Sequence, residues 1–308
     1  MIKVSYSRVS NYLSCPQKHH FKYIQDIATK TRNRPLSFGK DYHTLLQFKD
    51  PAILEDIEQA YYDLPAKDQE LLGDDYLDDL KIIYSDYCEV WKDAEKPVET
   101  EHEFLIPIGK YKGEEILFHG FIDELYEDGT LGEHKTFNYK PDMALLAMNL
   151  QVCLYAKARY LETGKLPSAI LWDYSRSVPA SKPIWLKSGK FSEANNSNIT
   201  HLSWLRACKE RGIDDPKILE KAKNYEPNIS NFFFRCRIEI VPTMVNVAWD
   251  SFKKLTKEII TKGGDNQIKN ISRDCTWCDY KPICFAQFTG ADVDYVIETD
   301  YIKGGRNG

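Results

Sequence analysis

"GFIDELYEDGTLGEHKT", residues 120–136, decides how the chain folds. Two runs of alternating apolar and polar residues flank Asp128-Gly129, the signature of an antiparallel hairpin. The closing loop determines which side chains share a face. A two-residue Asp128-Gly129 turn sets Asp123 opposite His134, with Glu133 on the far face. A three-residue loop, Glu127-Asp128-Gly129 with Gly129 left-handed, sets Asp123 opposite Glu133, Phe121 opposite Lys135 and Leu125 opposite Leu131. Glu133 and Lys135 then leave their strand on the same face as Asp123, and Glu124, His134 and Thr136 leave on the other. A Glu-x-Lys pair alone is common on a solvated sheet. Two carboxylates placed opposite each other are not, because like charges destabilise a hairpin. A divalent cation between them reverses the sign of that interaction, and oxygen ligands of this kind suit Mg²⁺ or Mn²⁺.

Working outward, "VETEHEFLIPIG" (98–109) and "EEILFHGFIDELY" (114–126) read with "TLGEHKTF" (130–137) as three antiparallel strands. On the N-terminal side, residues 5–26 read as a helix capped by Ser7 and broken at Pro16. Residues 37–48 read as a second helix, and the acidic stretch 51–94 is helical in pattern. Beyond the hairpin, 141–163 reads as one long helix from Pro141 to Gly164. "SAILWDYSRS" (168–177), "KPIWLKS" (182–188) and "FFFRCRIEI" (232–240) read as strands, and 243–261 as a helix ending at Gly263-Gly264. Helices, meandering strands, a helix and more strands make an α/β core with helical additions. The expected division is a helical N-terminal region at 1–97, a core at 98–187, a helical insertion at 188–230, and 231–308 completing the core. Only the tail "KGGRNG" (303–308) reads as disordered.

The 308 residues are 43% apolar, enough for a sizeable core, and the net charge of −5 gives no global sign of a nucleic-acid partner. A local basic face is compatible with that average. No apolar stretch has the length of a membrane span or a secretory signal. Eight cysteines without such a signal read as reduced thiols of the cytoplasm, free to bind metal. "RDCTWCDYKPICF", residues 273–285, holds Cys275, Cys278 and Cys284 as Cys-x2-Cys-x5-Cys. Cysteine sites usually take four protein ligands, and spacing alone does not separate Zn²⁺ from iron–sulfur. Cys88, Cys153, Cys208 and Cys236 sit in apolar or mixed segments and read as buried thiols. No G-x-x-x-x-G-K-[ST] occurs, so any unwinding comes from a partner or from the substrate.

Asp123 followed by Glu133-x-Lys135 resembles the PD-(D/E)XK nuclease superfamily. Gly120-Phe121-Ile122-Asp123 has the G-x-x-D form of its RecB-like members in place of the proline form. Gly39-x3-His43 resembles their upstream histidine motif and Gln151-x3-Tyr155 their Q-x-x-x-Y motif. "YSRVSNYLSCPQKHHFKYI" (6–24) resembles the opening of members that hold an iron–sulfur cluster, such as the CRISPR-associated RecB-like exonucleases and the nuclease domain of AddB.

The resemblance implies an α/β restriction-endonuclease-like core, a mixed sheet flanked by helices, with a helical N-terminal region and a C-terminal iron–sulfur segment. It implies a [4Fe–4S] cluster on Cys15, Cys275, Cys278 and Cys284. It implies Mg²⁺ or Mn²⁺ held by His43, Asp123, Glu133 and the carbonyl of His134. Lys135 would position water and offset charge on the phosphate, and Gln151 and Tyr155 would touch DNA. Glu101 and Glu103 share a strand face, and one of them could assist the metal. Tyr6, Arg8 and Lys18 could contact phosphate or a base, or simply solvate a surface helix. The implied activity is a deoxyribonuclease on DNA ends, preferring single strands, in recombination, repair or phage DNA processing. The implied setting is the cytoplasm of a prokaryote or of a phage-infected cell, with a helicase, single-strand-binding or recombination protein as partner and no membrane. A DNA-binding scaffold without catalysis and a structure-specific endonuclease are the competing readings.

Overall fold

A computed structural model describes residues 1–194, 196–264 and 267–304. Residues 305–308 of the expected disordered tail lie outside them. The strands are β1 (Ile2–Val4), β2 (Ile27–Thr29), β3 (Glu99–Tyr111), β4 (Glu114–Leu125), β5 (Leu131–Phe137), β6 (Ala169–Arg176), β7 (Phe233–Glu239) and β8 (Tyr301–Lys303). The N-terminal helices are α1 (Tyr6–Ser14), α2 (Pro16–His19), α3 (Arg34–Phe48), α4 (Pro51–Tyr62), α5 (Ala66–Leu72) and α6 (Tyr76–Val90). After the hairpin come α7 (Met143–Ala147), α8 (Leu150–Thr163), α9 (His201–Glu210), α10 (Pro216–Glu220), α11 (Pro242–Lys262), α12 (Lys281–Thr289) and α13 (Val293–Asp300).

One mixed six-stranded sheet runs β1-β4-β5-β6-β7, with β3 paired to the remaining edge of β4. The β1–β4 and β5–β6 pairs are parallel and the other pairs antiparallel. The main apolar core joins the sheet to α1, α8 and α11, with Phe118 set against Trp249 and Phe252. A second core joins α3–α6 to Phe233 of β7. The sheet therefore has helices on both faces, the α/β layering expected from the sequence. A smaller cluster around Trp204 and Tyr225 holds α9 and the 3-10 segment Lys221–Asn231 together.

The chain departs from the sequence reading at several places. Cys153 and Cys208 are buried thiols as expected, but Cys88 is exposed and Cys236 half-buried. Ser5, not Ser7, caps α1, its side chain accepting the Arg8 N–H at 3.2 Å. The helix expected over 141–163 is two helices, because the Asn149 side chain accepts the Gln151 N–H at 2.9 Å and starts α8 afresh. Residues 182–188 form no strand, since both edges of β6 are already taken by β5 and β7; only an isolated Trp185–Phe191 bridge remains. Finally, β2 and β8 form a two-stranded antiparallel sheet that ties the chain's two ends together.

Candidate active site

The hairpin closes in the three-residue register. Leu125 pairs with Leu131 and Glu124 with Gly132, and Gly129 has φ +82°. The Tyr126 N–H donates to the Thr130 carbonyl at 3.0 Å and the Gly129 N–H to the Tyr126 carbonyl at 2.9 Å. The pairing of β4 with β5 then stops, after two residue pairs. Farther back along the same edge of β4, residues 116–118 pair with β1. The β3 partner takes the opposite edge at every residue of β4 but Asp123. Between the two neighbours on the shared edge lies a fork, and Asp123 is the first residue inside it.

The ladder that would set Asp123 against Glu133 is thus replaced by a side-chain contact. Asp123 Oδ2 accepts the backbone N–H of His134 at 2.8 Å, supplying the acceptor that the missing strand would have given. The same oxygen lies 3.1 Å from His43 Nε2, which α3 brings over the fork. On the other side of the ring, His43 Nδ1 lies 3.4 Å from Glu101 Oε1. Glu101 reaches this point because its backbone is left-handed, φ +53°, inside β3, a strained conformation for a residue with a Cβ. Glu103 turns away and meets His119 at 2.9 Å.

His43, Glu101 and Asp123 offer ligand atoms within 4.8 Å of one another, the only such group among the described residues. Glu101 Oε1 is buried and, beyond its 3.4 Å approach to His43, has no hydrogen-bond partner, so this donor set fits a cation. Burial opposes a charge on His43, yet the hydrogen bond and charge of Asp123, with Glu101 adding, raise its pKa above the ordinary histidine value. Burial likewise opposes the Asp123 carboxylate, but His43, Lys135 and His134 hold its pKa below the usual range. The His43 imidazole thus stands between two carboxylates, with one ring nitrogen facing each.

Glu133 is buried beside this group. Its Oε1 accepts from the Lys135 ammonium and, at 2.7 Å, from Gln151 Nε2 at the start of α8. Burial and the Asp123 charge push Glu133 up to about 7, against the pull of Lys135. Tyr155, one turn beyond Gln151, packs edge-on against Phe104 at 5.3 Å. His134 turns its ring to the opposite face, 3.2 Å from Glu124 Oε1 and 3.7 Å from Asp173 Oδ2. Asp173 is in turn held by Tyr87 at 2.7 Å and Arg235 at 2.8 Å. The structure thus gathers His43, Asp123, Glu133, Lys135 and Gln151, places Tyr155 behind Gln151, and adds Glu101.

Cys15, Cys275, Cys278 and Cys284 line one cavity of about 300 Å³. All four are free thiols. Hydrogen bonds stitch the first helices to the C-terminal segment around Cys15. The Gln17 N–H donates to the Ile268 carbonyl at 3.1 Å, Asn270 Nδ2 to the Ser14 carbonyl at 3.0 Å, and the Asn270 N–H to Cys15 Sγ at 3.4 Å. Burial pushes the Cys284 thiol up to about 11. Among the described residues, no three of these sulfurs come within 4.8 Å of one another.

Two solved structures are similar over most of the chain. SSO0001 is 13% identical, with a TM-score of 0.40, over 92% of this chain and 86% of its own. A Eubacterium rectale protein described as a "Putative exonuclease" is 9% identical, with a TM-score of 0.49, over 94% and 93%. No curated protein matches the sequence. No helix among the described residues is long and apolar enough to cross a membrane. The family model of the PD-(D/E)XK nuclease superfamily matches residues 3–285, which includes the fork, His43, the α8 motif and all four cysteines. The chain belongs to the PD-(D/E)XK nuclease superfamily.

Proposed function

We propose that the protein is a Mg²⁺- or Mn²⁺-dependent deoxyribonuclease that works from DNA ends, with single strands preferred. One observation carries the reading: three ligand atoms of His43, Glu101 and Asp123 converge in the fork, with the Glu133–Lys135 pair beside them. His43, Glu101, Asp123 and Glu133 would hold the ion, with the His134 carbonyl as a further oxygen. A divalent ion bound there supplies charge for the scissile phosphate and acidifies an attacking water. The residues divide the remaining work. Lys135 keeps its ammonium next to the reacting phosphate because Glu133 anchors it, and so offsets charge that develops there. Gln151 holds Glu133 from the other side, and Tyr155, packed on Phe104 one turn along α8, stands ready to touch the strand. A catalytically silent scaffold has no use for this set.

The four cysteines would hold a [4Fe–4S] cluster. Four sulfurs around one zinc stand about 3.8 Å apart at ordinary Zn–S lengths. The sulfurs here are spaced more widely around a cavity, as a larger group needs. The cluster would lock the N-terminal helices to the C-terminal segment. In this reading the cell supplies the protein with DNA ends through recombination, repair or phage DNA processing, in company with a helicase or single-strand-binding protein.

Incubation with Mn²⁺ and equal amounts of linear and circular single-stranded DNA tests the function. Loss of the linear strand with the circle intact is the expected result. Cutting of circles assigns an endonuclease, and cutting of neither supports the scaffold.

A further inference from the structure

Behind the fork, between α3, α6 and the hairpin end of β4, lies a cavity of about 360 Å³ that the metal cluster does not use. Small-molecule sites are commonly of this size. Glu124 and Tyr126 line its inner side, and both are buried. Glu124 is already satisfied there by the Tyr126 hydroxyl at 2.7 Å and by His134 and Lys49 at 3.2 and 3.6 Å. That side therefore presents little free negative charge.

The rest of the lining combines aromatic side chains with cations, the lysines among them exposed. Tyr84 and Trp91 come from α6 and its end. The Arg235 guanidinium lies 4.4 Å over the Trp91 ring and is tied to Asp173 at 2.8 Å, which fixes the indole. Lys92 and Lys96 stand exposed at the mouth. Lys92 pairs with Glu89 at 2.8 Å, but both side chains are more than half exposed, so that pair is weak and exchangeable. Lys96 has no ion-pair partner among the described residues, and Glu95 beside it is the one exposed acid of the lining. A π surface under a rim of ammonium groups is the chemistry that receives a planar base carrying a phosphate.

The position bears on the same point. Glu124 and Thr100 line the cavity, and each directly neighbours in sequence a residue of the metal cluster, Asp123 and Glu101. Glu124 also touches the ring of His134, whose N–H holds Asp123. The cavity is thus back to back with the fork.

We propose that this cavity is a nucleotide-binding site, with the base against Tyr84 and Trp91 and the phosphate among Lys49, Lys92 and Lys96. The proposal rests on the nuclease reading only for the source of the nucleotide, which is either the end of a strand or a freed mononucleotide.

The test is calorimetric titration of the full chain with a deoxynucleoside 5′-monophosphate in EDTA, so that no divalent ion can draw the phosphate to the fork. Saturable binding is expected, with the unphosphorylated nucleoside and inorganic phosphate each roughly tenfold weaker or worse. The double variant Lys92→Ala/Lys96→Ala, at two exposed positions, should weaken the monophosphate roughly tenfold. Competition by a short oligonucleotide assigns the site to strand ends, and its absence to freed mononucleotide; both outcomes support the site. No saturable binding, binding unchanged in the double variant, or phosphate binding as tightly as the nucleotide would overturn it. The same preparation is assayed for Mn²⁺-dependent cleavage. Cleavage without nucleotide binding removes the cavity proposal alone, and nucleotide binding without cleavage removes the nuclease reading alone.

Discussion

Asp123 and His134 meet where two strands part: the Asp123 carboxylate accepts the His134 N–H at 2.8 Å, one residue past the last β4–β5 pair. This contact lets a strand edge open without leaving a backbone donor unsatisfied. It also holds the same oxygen, Oδ2, 3.1 Å from His43 Nε2. The fork depends on two glycines that act differently, which makes it testable without touching a ligand.

A Cβ at Gly129 would meet nothing within 4 Å, so Gly129→Val strains only the left-handed backbone, at about 1–2 kcal/mol. A Cβ at Gly132 would stand 2.8 Å from Glu124 Cβ, so Gly132→Ala overpacks the fork itself, at about 1–3 kcal/mol. Urea denaturation should register both. Mn²⁺ affinity should fall further in Gly132→Ala than in Gly129→Val. Equal affinities in the two variants would detach the metal site from the fork.

Glu101→Gln and Glu103→Gln separate two carboxylates of one strand. Glu101 reaches His43, whereas Glu103 lies at the surface against His119. Mn²⁺ affinity should drop roughly tenfold or more in the first. It should stay unchanged in the second. An equal drop in both, read by calorimetry, would remove Glu101 from the site.

The pH dependence has a definite sign. Burial and the Asp123 charge raise Glu133 to about 7, and the carboxylates around His43 raise its pKa too. Each group holds its proton more tightly folded than unfolded. Each therefore contributes stability that is present below its unfolded pKa and lost as pH rises through its folded value. In EDTA, thermal stability should decline as pH rises through about 7. Mn²⁺ has to displace these protons, so its affinity should climb over the same window. Melts in EDTA that improve as pH rises through 7 would contradict the assignment.

Cys15→Ser and Cys278→Ser should lower iron content and folded yield together in protein made without oxygen, since cluster binding and folding are coupled. Stoichiometric zinc with no iron in the wild type, by elemental analysis, would rule out the cluster.

Much of the site could be read from local chemistry. The register followed from one glycine and the repulsion between two carboxylates, and Gly129 does take positive φ. Gln151 and His43 came instead from the resemblance to the family's motifs. What escaped the sequence depends on the fold as a whole. The choice of Glu101 over Glu103 turns on a left-handed backbone at a residue that gives no sign of one. The fork exists because β1, three residues long, takes the edge of β4 that β5 leaves. A strand that short has no alternation to detect. The split of 141–163 turned on Asn149 acting as a cap within an unbroken helical pattern.

The central claim is that a divalent ion held by Asp123 and its neighbours does the chemistry, with Lys135 acting on the phosphate. It is tested most directly by Mn²⁺ calorimetry alongside cleavage of an end-labelled single strand in wild type, Asp123→Ala and Lys135→Ala. The wild type should bind Mn²⁺ and degrade the strand, and Asp123→Ala should lose both. Lys135→Ala should keep its Mn²⁺ and lose cleavage by roughly a hundredfold or more. Full cleavage by either variant would contradict the account.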